Sequence, residues 1–169
     1  MIEITSVKPS DATAILEIYK PYIEKTAITF ECTVPTLSKF TERVGKISAS
    51  RPYIAAKENG KMLGYAYLSP LKSREAYRHS AETSIYISEN SRGAGLGKML
   101  YAELERKAKE CGITNLYACI AFTDSQDETL DNKSVGFHEK MGYTTVGKFH
   151  ACGKKFGRLY DIVWMEKII

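Results

Sequence analysis

Hydrophobic positions along the chain recur at two spacings, one typical of helices and one typical of strands. Near the amino terminus, apolar residues at helical spacing predict one buried helix face, which comprises Ile15, Ile18, Tyr19, Tyr22 and Ile23. Ser10 is the expected N-cap of this helix. Pro21 lies inside the segment. Because proline removes a backbone hydrogen bond, the sequence predicts two short helical pieces there.

The next elements follow from similar signals. A second helical face is predicted in "TLSKFTERVGKI", from Leu37, Phe40, Val44 and Ile47. Asn59–Gly60 joins two apolar-rich runs, which is a strong signal for a β-hairpin. The strand "SAETSIYIS" is expected to end near Ile87. An amphipathic helix is then predicted over 96–111, with Gly112 as its C-cap.

The carboxy-terminal third completes the predicted order of elements. "NLYACIAF" is a short strand of the kind buried on both faces, and "SVGFHEKMG" is a short helix that ends at Gly142. "YTTVGKF" and "RLYDIVWMEKI" are a final strand pair joined by the loop "HACGKKFG". The order α-α-β-β-β-α-β-α-β-β predicts a fold of the α/β (α+β) class, in which helices cover a mixed sheet with a central strand–helix–strand crossover. One domain over 1–169 is expected from the length.

Composition narrows the function classes. Hydrophobic residues make up 44% and charged residues 26% of the 169, as in ordinary globular proteins. The net charge of +4 is spread along the chain, whereas nucleic-acid binders gather basic residues on one stripe. The start "MIEITSVKPSDAT" lacks a signal-peptide pattern, and no apolar run is long enough to span a membrane. We therefore expect a cytoplasmic protein with no nucleic-acid or membrane partner.

Four cysteines are scattered through the sequence, at Cys32, Cys111, Cys119 and Cys152. They form no CxxC pair and have no histidine at a metal-ligand spacing, so the expectation is reduced, mostly buried thiols and no metal site.

The candidate ligand site is the junction "RGAGLGKML", where the strand ending near Ile87 turns into the helix that starts at Leu96. Three glycines within five residues, Gly93, Gly95 and Gly97, let backbone amides approach a ligand closely. Free amides and the helix dipole favour an anion such as phosphate. A tight turn with a capped helix is the competing interpretation. GxxxxGK[ST] is absent, and the spacing does not match the dinucleotide motif GxGxxG.

At this junction the chain resembles the GNAT superfamily of acyl-CoA-dependent N-acetyltransferases, whose signature is (Q/R)-x-x-G-x-(G/A). Further segments resemble the phosphinothricin N-acetyltransferase branch: "ITFECTVPT", "SPLKSREAYRHSAETSIYIS", "SVGFHEKMGY" and "GKKFGRLYDIVWME". The resemblance implies a mixed, mostly antiparallel sheet of about six or seven strands with about four flanking helices. It also implies a V-shaped split between two central parallel strands.

The resemblance implies that acetyl-CoA lies in that split. Backbone groups of the cleft strand would bond the pantetheine arm, at Ile85, Tyr86 and Ile87. Amides of the glycine turn would hold the diphosphate, at Arg92, Gly93, Ala94, Gly95, Leu96, Gly97 and Lys98. Relatives carry Asn-x-x-Ser before the next helix. Here Ser134 aligns, but the asparagine position is Asp131 and Asn132 is one place late, so this cofactor contact is left open, with Asp131 also a candidate N-cap.

Two residues match positions that carry chemistry in this branch. Glu82 matches the general base; alternation places it with Ser84 and Tyr86 on one face of the strand. His138 is the second catalytic candidate, as acid, second base or structural residue. A strand amide near Ile85 is the expected oxyanion donor. Covalent catalysis is not expected; the implied route is direct attack within a ternary complex.

The substrate position is expected in a cationic and aromatic segment upstream of Glu82, together with one residue of "ITFE". The predicted substrate-binding residues are Phe30, Lys72, Arg74, Tyr77 and Arg78. They suit a small amino-acid-like amine such as phosphinothricin, methionine sulfoximine or methionine sulfone. The alternatives are an aminoglycoside, a polyamine, a protein N-terminus, or a non-catalytic acyl-CoA sensor. Leu159 stands where relatives often have tryptophan, and "RLYDIVWME" is the expected homodimer contact.

Overall fold

A seven-stranded sheet separates two layers of helices in the computed structural model, which describes residues 1–169. The strands are β1 (Ile2–Ser6), β2 (Tyr53–Glu58), β3 (Lys61–Pro70), β4 (Ser80–Ile87), β5 (Asn115–Phe122), β6 (Thr144–Lys155) and β7 (Arg158–Ile168). The helices are α1 (Ala12–Lys25), α2 (Leu37–Ser50), α3 (Leu96–Glu110) and α4 (Lys133–Lys140). No helix combines the length and the apolar content needed to cross a bilayer.

The sheet is antiparallel except at its centre. Its strand order is β1-β2-β3-β4-β5-β7-β6, and only β4 and β5 run parallel. The β4–β5 ladder covers Ser80–Asn115, Ala81–Leu116 and Glu82–Tyr117, and no pairing continues beyond Glu82. The strands therefore separate over their second halves, which confirms the expected fold class and the central split.

Two hydrophobic cores lie on opposite faces of the sheet. Helices α1 and α2 pack over one face, whereas α3 packs over the other. Along β4, Tyr86 packs against the α1–α2 core, and Ile85 and Ile87 pack against the α3 core. The alternation predicted for this strand is thus confirmed, and Glu82 and Ser84 share the face of Tyr86.

The amino-terminal region departs from the prediction in two ways. Strand β1 pairs with β2 at the sheet edge but was not predicted; its short "IEITS" pattern precedes the strong helical signal. Helix α1 is one continuous helix with Pro21 inside it, so the predicted break is wrong. Proline removes one hydrogen bond, but buried residues on both sides of it, including Ile18 and Tyr22, hold the helix against the sheet. The residue before the helix is Asp11 rather than the expected cap Ser10.

Two further corrections concern the carboxy-terminal strands and the cysteines. Strand β6 continues through most of the predicted loop "HACGKKFG", because a bulge between Phe149 and Gly153 lets pairing with β7 resume. All four cysteine residues are exposed, so the expectation of mostly buried thiols is wrong.

Candidate active site

The amino terminus of α3 lacks any internal cap. Its N-cap residue is Gly95, no side chain bonds the first-turn amides, and no acidic residue lies in the first turn. By contrast, α2 is capped by the Thr36 hydroxyl, which accepts a hydrogen bond from the Lys39 amide. Free amides at the positive end of a 15-residue helix favour a bound anion, and Lys98 in the same turn adds positive charge.

Two glycines hold this turn in a conformation that other residues adopt only under strain. Gly93 has φ of +82° and Gly95 has φ of +75°, both in the left-handed region. A Cβ added at either position would meet no atom within 4 Å, so the space over their backbone is open. Gly97 differs, because its added Cβ would lie 2.9 Å from the Phe137 ring; Gly97 allows α3 to pack against α4. The turn thus fits a diphosphate group held by backbone amides.

The split beside this turn exposes one edge of β4. Ser88 donates its backbone N–H to Leu63 of β3, so even-numbered residues of β4 point their backbone groups toward β3. Odd-numbered residues point theirs toward the split. At Ile85, β5 has already separated from β4, so the N–H and C=O of Ile85 face the split. An extended ligand that carries amide groups could bond to them as an added strand would. At Ile87 the corresponding groups bond the Tyr22 hydroxyl.

Glu82 stands at the last paired position before the strands part. It is half-buried, and its carboxyl group makes no hydrogen bond or ion pair within the chain. Burial raises the pKa of Glu82, against a smaller opposing effect of the Lys72 charge. A carboxylate that is partly desolvated, unpaired and placed at the mouth of a cleft suits a general base.

His138 is buried on the opposite side of the sheet, with 3% of its surface exposed. Its Nδ1 lies 2.7 Å from the Ser134 carbonyl oxygen, which can only accept, so Nδ1 carries the proton. Nε2 then accepts a hydrogen bond from the Tyr101 hydroxyl at 2.8 Å. Burial lowers the pKa of His138, so the ring is neutral at pH 7.

The Tyr101 hydroxyl links His138 to the cleft strand. It lies 3.3 Å from the hydroxyl of Thr83, the neighbour of Glu82, and Thr83 donates to the Tyr117 carbonyl where the strands begin to part. Sequence reasoning missed Tyr101 and Thr83. Two sequence patterns could have indicated them. Alternation along β4 places Thr83, and the apolar face of α3 places Tyr101, in the same core.

Cys119 lies on β5 near Glu82, and its surroundings disfavour the thiolate form. Although the residue is exposed at the surface of the split, partial desolvation of its sulfur raises the pKa of the Cys119 thiol to about 12, with a further contribution from the nearby Glu82 charge. The thiolate, which is the reactive form, is therefore scarce at pH 7. This agrees with direct transfer rather than covalent catalysis.

The predicted substrate residues fall into two groups. Lys72, Arg74, Tyr77 and Arg78 are exposed on the loop between β3 and β4; of these, Lys72 is near enough to influence the pKa of Glu82. Arg78 approaches Glu75 of the same loop. Phe30 is half-buried and packs against Tyr160 of β7.

The position of the Phe30 ring depends on the absence of a side chain at Gly153. A Cβ at Gly153 would lie 2.2 Å from the Phe30 ring, closer than any real contact. We expect Gly153→Ala to displace Phe30 and to raise the KM for the amine several-fold, with acetyl-CoA affinity unchanged. Steady-state kinetics with each substrate varied in turn measures both effects. The control is Gly147→Ala on the same strand, where an added Cβ meets nothing within 4 Å. Equal amine KM values for the two variants would contradict this role for Phe30.

The residues before α4 are occupied within the chain. Asn132 is the N-cap residue of α4, and its side-chain amide bonds both the N–H and the C=O of Thr123. Asp131 accepts from the Lys133 amide and pairs with the Lys133 ammonium group. Ser134 lies beside His138, with its hydroxyl 3.4 Å from Nδ1. Leu159 is exposed on β7.

A polar cluster that the sequence did not indicate lies on the Glu82 face of the sheet. Arg43 of α2 forms a bidentate ion pair with Glu31, at 2.8 and 2.9 Å, and Glu31 also accepts from the Tyr19 hydroxyl. Charge and hydrogen bonding from Arg43 lower the pKa of Glu31 despite its partial burial. Glu31 lies in a loop and Arg43 lies in α2, twelve residues later, and no local sequence pattern predicts an ion pair between them.

Comparison with known protein families identifies the family of this chain. The model of the acetyltransferase (GNAT) domain matches residues 4–164. The chain belongs to the GNAT acetyltransferase family. This GNAT protein is therefore an N-acetyltransferase, and acetyl-CoA is its acetyl donor. The uncapped helix, the open glycine turn and the split strands are the features that fit this cofactor.

Individual relatives and structures agree with this assignment. The chain is 31% identical over 162 residues to phosphinothricin N-acetyltransferase from Alcaligenes faecalis, covering 95% of this chain and 79% of that protein. It is 29% identical over 158 residues to the L-methionine sulfoximine/L-methionine sulfone acetyltransferase of Salmonella typhimurium, covering 93% and 88%.

Two solved structures share the whole architecture of the GNAT chain. The ribosomal-protein-alanine N-acetyltransferase of Brucella melitensis is 30% identical, with a TM-score of 0.90 and 99% of each chain covered. The phosphinothricin acetyltransferase of Sinorhizobium meliloti, in complex with acetyl-CoA, is also 30% identical, with a TM-score of 0.89. It covers 99% of this chain and 88% of that one.

Proposed function

We propose that this protein transfers an acetyl group from acetyl-CoA to the amine of a small amino-acid-like molecule, such as phosphinothricin, methionine sulfoximine or methionine sulfone. The observation that carries the proposal is Glu82. Its carboxyl group has a raised pKa and no internal partner, and it stands where the two parallel strands separate. Relatives named for these amino-acid substrates support the substrate class.

Different residues of the cleft have different roles in the transfer of the acetyl group. Bound acetyl-CoA supplies an acetyl group activated as a thioester. Amides of the turn from Arg92 to Lys98 hold its diphosphate, and Ile85 bonds the pantetheine arm. Glu82 accepts a proton from the substrate ammonium, so that the neutral amine can attack directly. A backbone amide of the cleft strand near Ile85 is the donor that faces the reacting carbonyl oxygen.

In this scheme His138 is a neutral residue that acts through its neighbours. Its Nε2 reaches the cleft only by way of the Tyr101 and Thr83 hydroxyl groups. These contacts hold Thr83 in place next to Glu82. Asp131, Asn132 and Ser134 support the start of α4 rather than replacing the relatives' asparagine contact.

The charge around the site supports an anionic amino acid over a polycation. Lys72 and Arg74 lie upstream of Glu82 on the exposed loop, and a substrate carboxylate would be attracted to them. An aminoglycoside or polyamine would be repelled. A protein N-terminus is the second candidate, because one structural neighbour is named for ribosomal-protein alanine.

An amine panel scored by CoA release tests the proposal. The panel contains phosphinothricin, methionine sulfoximine, methionine sulfone, free amino acids, a polyamine, an aminoglycoside and a peptide with an amino-terminal alanine. We expect the first three to give the highest kcat/KM. Preference for the peptide or the polycations would contradict the substrate class. Binding of acetyl-CoA without CoA release for any amine would contradict the enzyme assignment for Glu82 and indicate a sensor.

The pH dependence follows from the raised pKa of Glu82. The carboxylate must be ionised to accept a proton, so kcat/KM is expected to fall with decreasing pH, through a pKa above that of an ordinary glutamate. For a substrate whose amine has a lower pKa, we expect the fall of kcat/KM at low pH to stay where it is, and only the part of the pH profile that reflects the amine to move. An acidic limb that tracks the amine instead, or that persists when Glu82 is replaced by alanine, would remove Glu82 from this role.

Exposed apolar residues support a homodimer. Val146, Phe149, Phe156 and Leu159 are each more than half exposed on the β6–β7 hairpin. Such a group on one element is typical of an association surface, and light scattering measures the resulting mass. We also propose that the protein acts in the cytoplasm, on a free small molecule, without a nucleic-acid or membrane partner. Resistance to an inhibitor that carries the substrate amine would then be one consequence of its activity.

A further inference from the structure

One hydroxyl group satisfies both backbone groups of a residue at the edge of the cleft. The Tyr22 O–H donates to the Ile87 carbonyl at 2.6 Å, and the Ile87 N–H donates to the same oxygen at 3.2 Å. Tyr22 comes from α1, 65 residues earlier in the chain. The contact therefore ties the end of the cleft strand to the helix layer above it.

Ile87 needs such a partner because of where it stands. Its N–H and C=O point toward the split, where β5 no longer pairs with β4. Unpaired backbone groups in a partly buried position are costly, and they favour either fraying of the strand or renewed pairing with β5. Renewed pairing would close the split. The phenol thus takes the place of the missing strand partner at this one position.

The Tyr22 ring is held on several sides, so its hydroxyl is a fixed group. Only 6% of the residue is exposed. Its ring packs edge-on against Tyr86, with centroids 5.1 Å apart. The Arg92 guanidinium lies over the ring, 5.1 Å from its centroid. Arg92 begins the glycine turn, so the Tyr22 side chain contacts both the end of the cleft strand, at Ile87, and the start of the anion site, at Arg92.

We propose that Tyr22 is a positioning residue for acetyl-CoA: it ends the free backbone edge of β4 at Ile85, keeps the split open, and aligns the strand with the glycine turn. This rests on the proposed function in that the cleft must take acetyl-CoA. Ile85 then supplies the backbone pair for the pantetheine arm, while the Ile87 pair stays bonded to Tyr22. The Tyr22 ring and Arg92 would then contribute to the wall between this backbone pair and the glycine turn.

The first test replaces the hydroxyl and keeps the ring. We expect Tyr22→Phe to raise the Kd for acetyl-CoA about fivefold, the size of effect that one buried hydroxyl group gives, with kcat at saturating substrates unchanged. Calorimetry measures the Kd, and steady-state kinetics separates KM from kcat. A purely structural role would lower the melting temperature without changing the Kd of the folded fraction. An unchanged Kd, or tighter binding because the phenol competes with the pantetheine arm, overturns the proposal.

The matched control is Tyr19→Phe. Tyr19 is also a buried tyrosine of α1, and its ring packs edge-on against the same Tyr86, with centroids 4.8 Å apart. Its hydroxyl contacts Thr29 and Glu31 instead of β4. We therefore expect Tyr19→Phe to leave the acetyl-CoA Kd unchanged. A loss of affinity equal to that of Tyr22→Phe would assign the effect to the helix as a whole and overturn the proposal.

Amide hydrogen exchange, read residue by residue with NMR, separates this proposal from the proposed function. In the cofactor-free protein the Ile87 amide should exchange slowly and the Ile85 amide quickly; Tyr22→Phe should speed only the former. Acetyl-CoA should then protect Ile85. Equal, fast exchange at both amides in the wild-type protein overturns the Tyr22 contact. Failure of the wild-type protein to bind acetyl-CoA overturns the proposed function, whereas the exchange at Ile87 still decides whether Tyr22 holds the strand.

Discussion

Replacing Glu82 with alanine is expected to lower kcat by about 10²-fold or more, while the Kd for acetyl-CoA stays unchanged. The carboxylate is the one group at the cleft mouth that can accept the ammonium proton at neutral pH. It makes no hydrogen bond or ion pair that its removal would break. Because burial raises its pKa, ionised Glu82 is unfavourable in the folded state at neutral pH, so its loss does not lower the melting temperature.

The matched control is Glu166, which lies two strands from Glu82 at the same register position. Tyr117 of β5 pairs with Glu82 on one side and with Glu166 of β7 on the other. Both glutamates are half-buried on strands that are paired on both sides, but only Glu82 borders the split. Glu166→Ala should therefore retain turnover. Wild-type turnover in the Glu82→Ala enzyme, or an equal loss in both variants, would contradict the assignment of Glu82 as the base.

Replacing Gly95 with valine is expected to weaken acetyl-CoA binding by more than about tenfold. The left-handed φ of +75° is strained for any residue with a Cβ, at a cost of about 1–3 kcal/mol. The added side chain would also project into open space over the amides that hold the diphosphate. Calorimetry gives the affinity, and thermal unfolding gives the stability cost separately.

Gly112 provides the control, because it lies just past the carboxy-terminal end of the same helix. Its φ is +71°, and an added Cβ there also meets nothing within 4 Å. Gly112→Val should therefore cost similar stability without any effect on acetyl-CoA affinity. If the two valine variants lose affinity equally, strain in α3 explains the effect and the glycine turn is not the cofactor site.

The features of the site that the sequence predicts are those that depend on residues adjacent in the chain. The sequence of Gly93, Gly95 and Gly97 indicated an anion turn, and alternation around Glu82 indicated its face of the sheet; both depend on neighbouring residues alone. The split itself was inferred from family resemblance, because no local property of β4 or β5 determines where their pairing stops.

The features that were missed depend on contacts between distant segments. Tyr22 was recognised only as part of an apolar helix face, since nothing near it in the sequence reveals that its hydroxyl meets Ile87. The Arg43–Glu31 pair and the Tyr101–His138 contact are of the same kind. The break predicted at Pro21 is wrong for a related reason: the local cost of a proline is offset by packing against distant parts of the chain.

The most direct measurement of the central claim is a crystal structure with acetyl-CoA bound. We expect diphosphate oxygens within hydrogen-bonding distance of amides between Arg92 and Lys98, the pantetheine arm in the split beside Ile85, and the thioester next to Glu82. A diphosphate bound elsewhere on the molecule, with β4 and β5 closed against each other, would contradict the central claim.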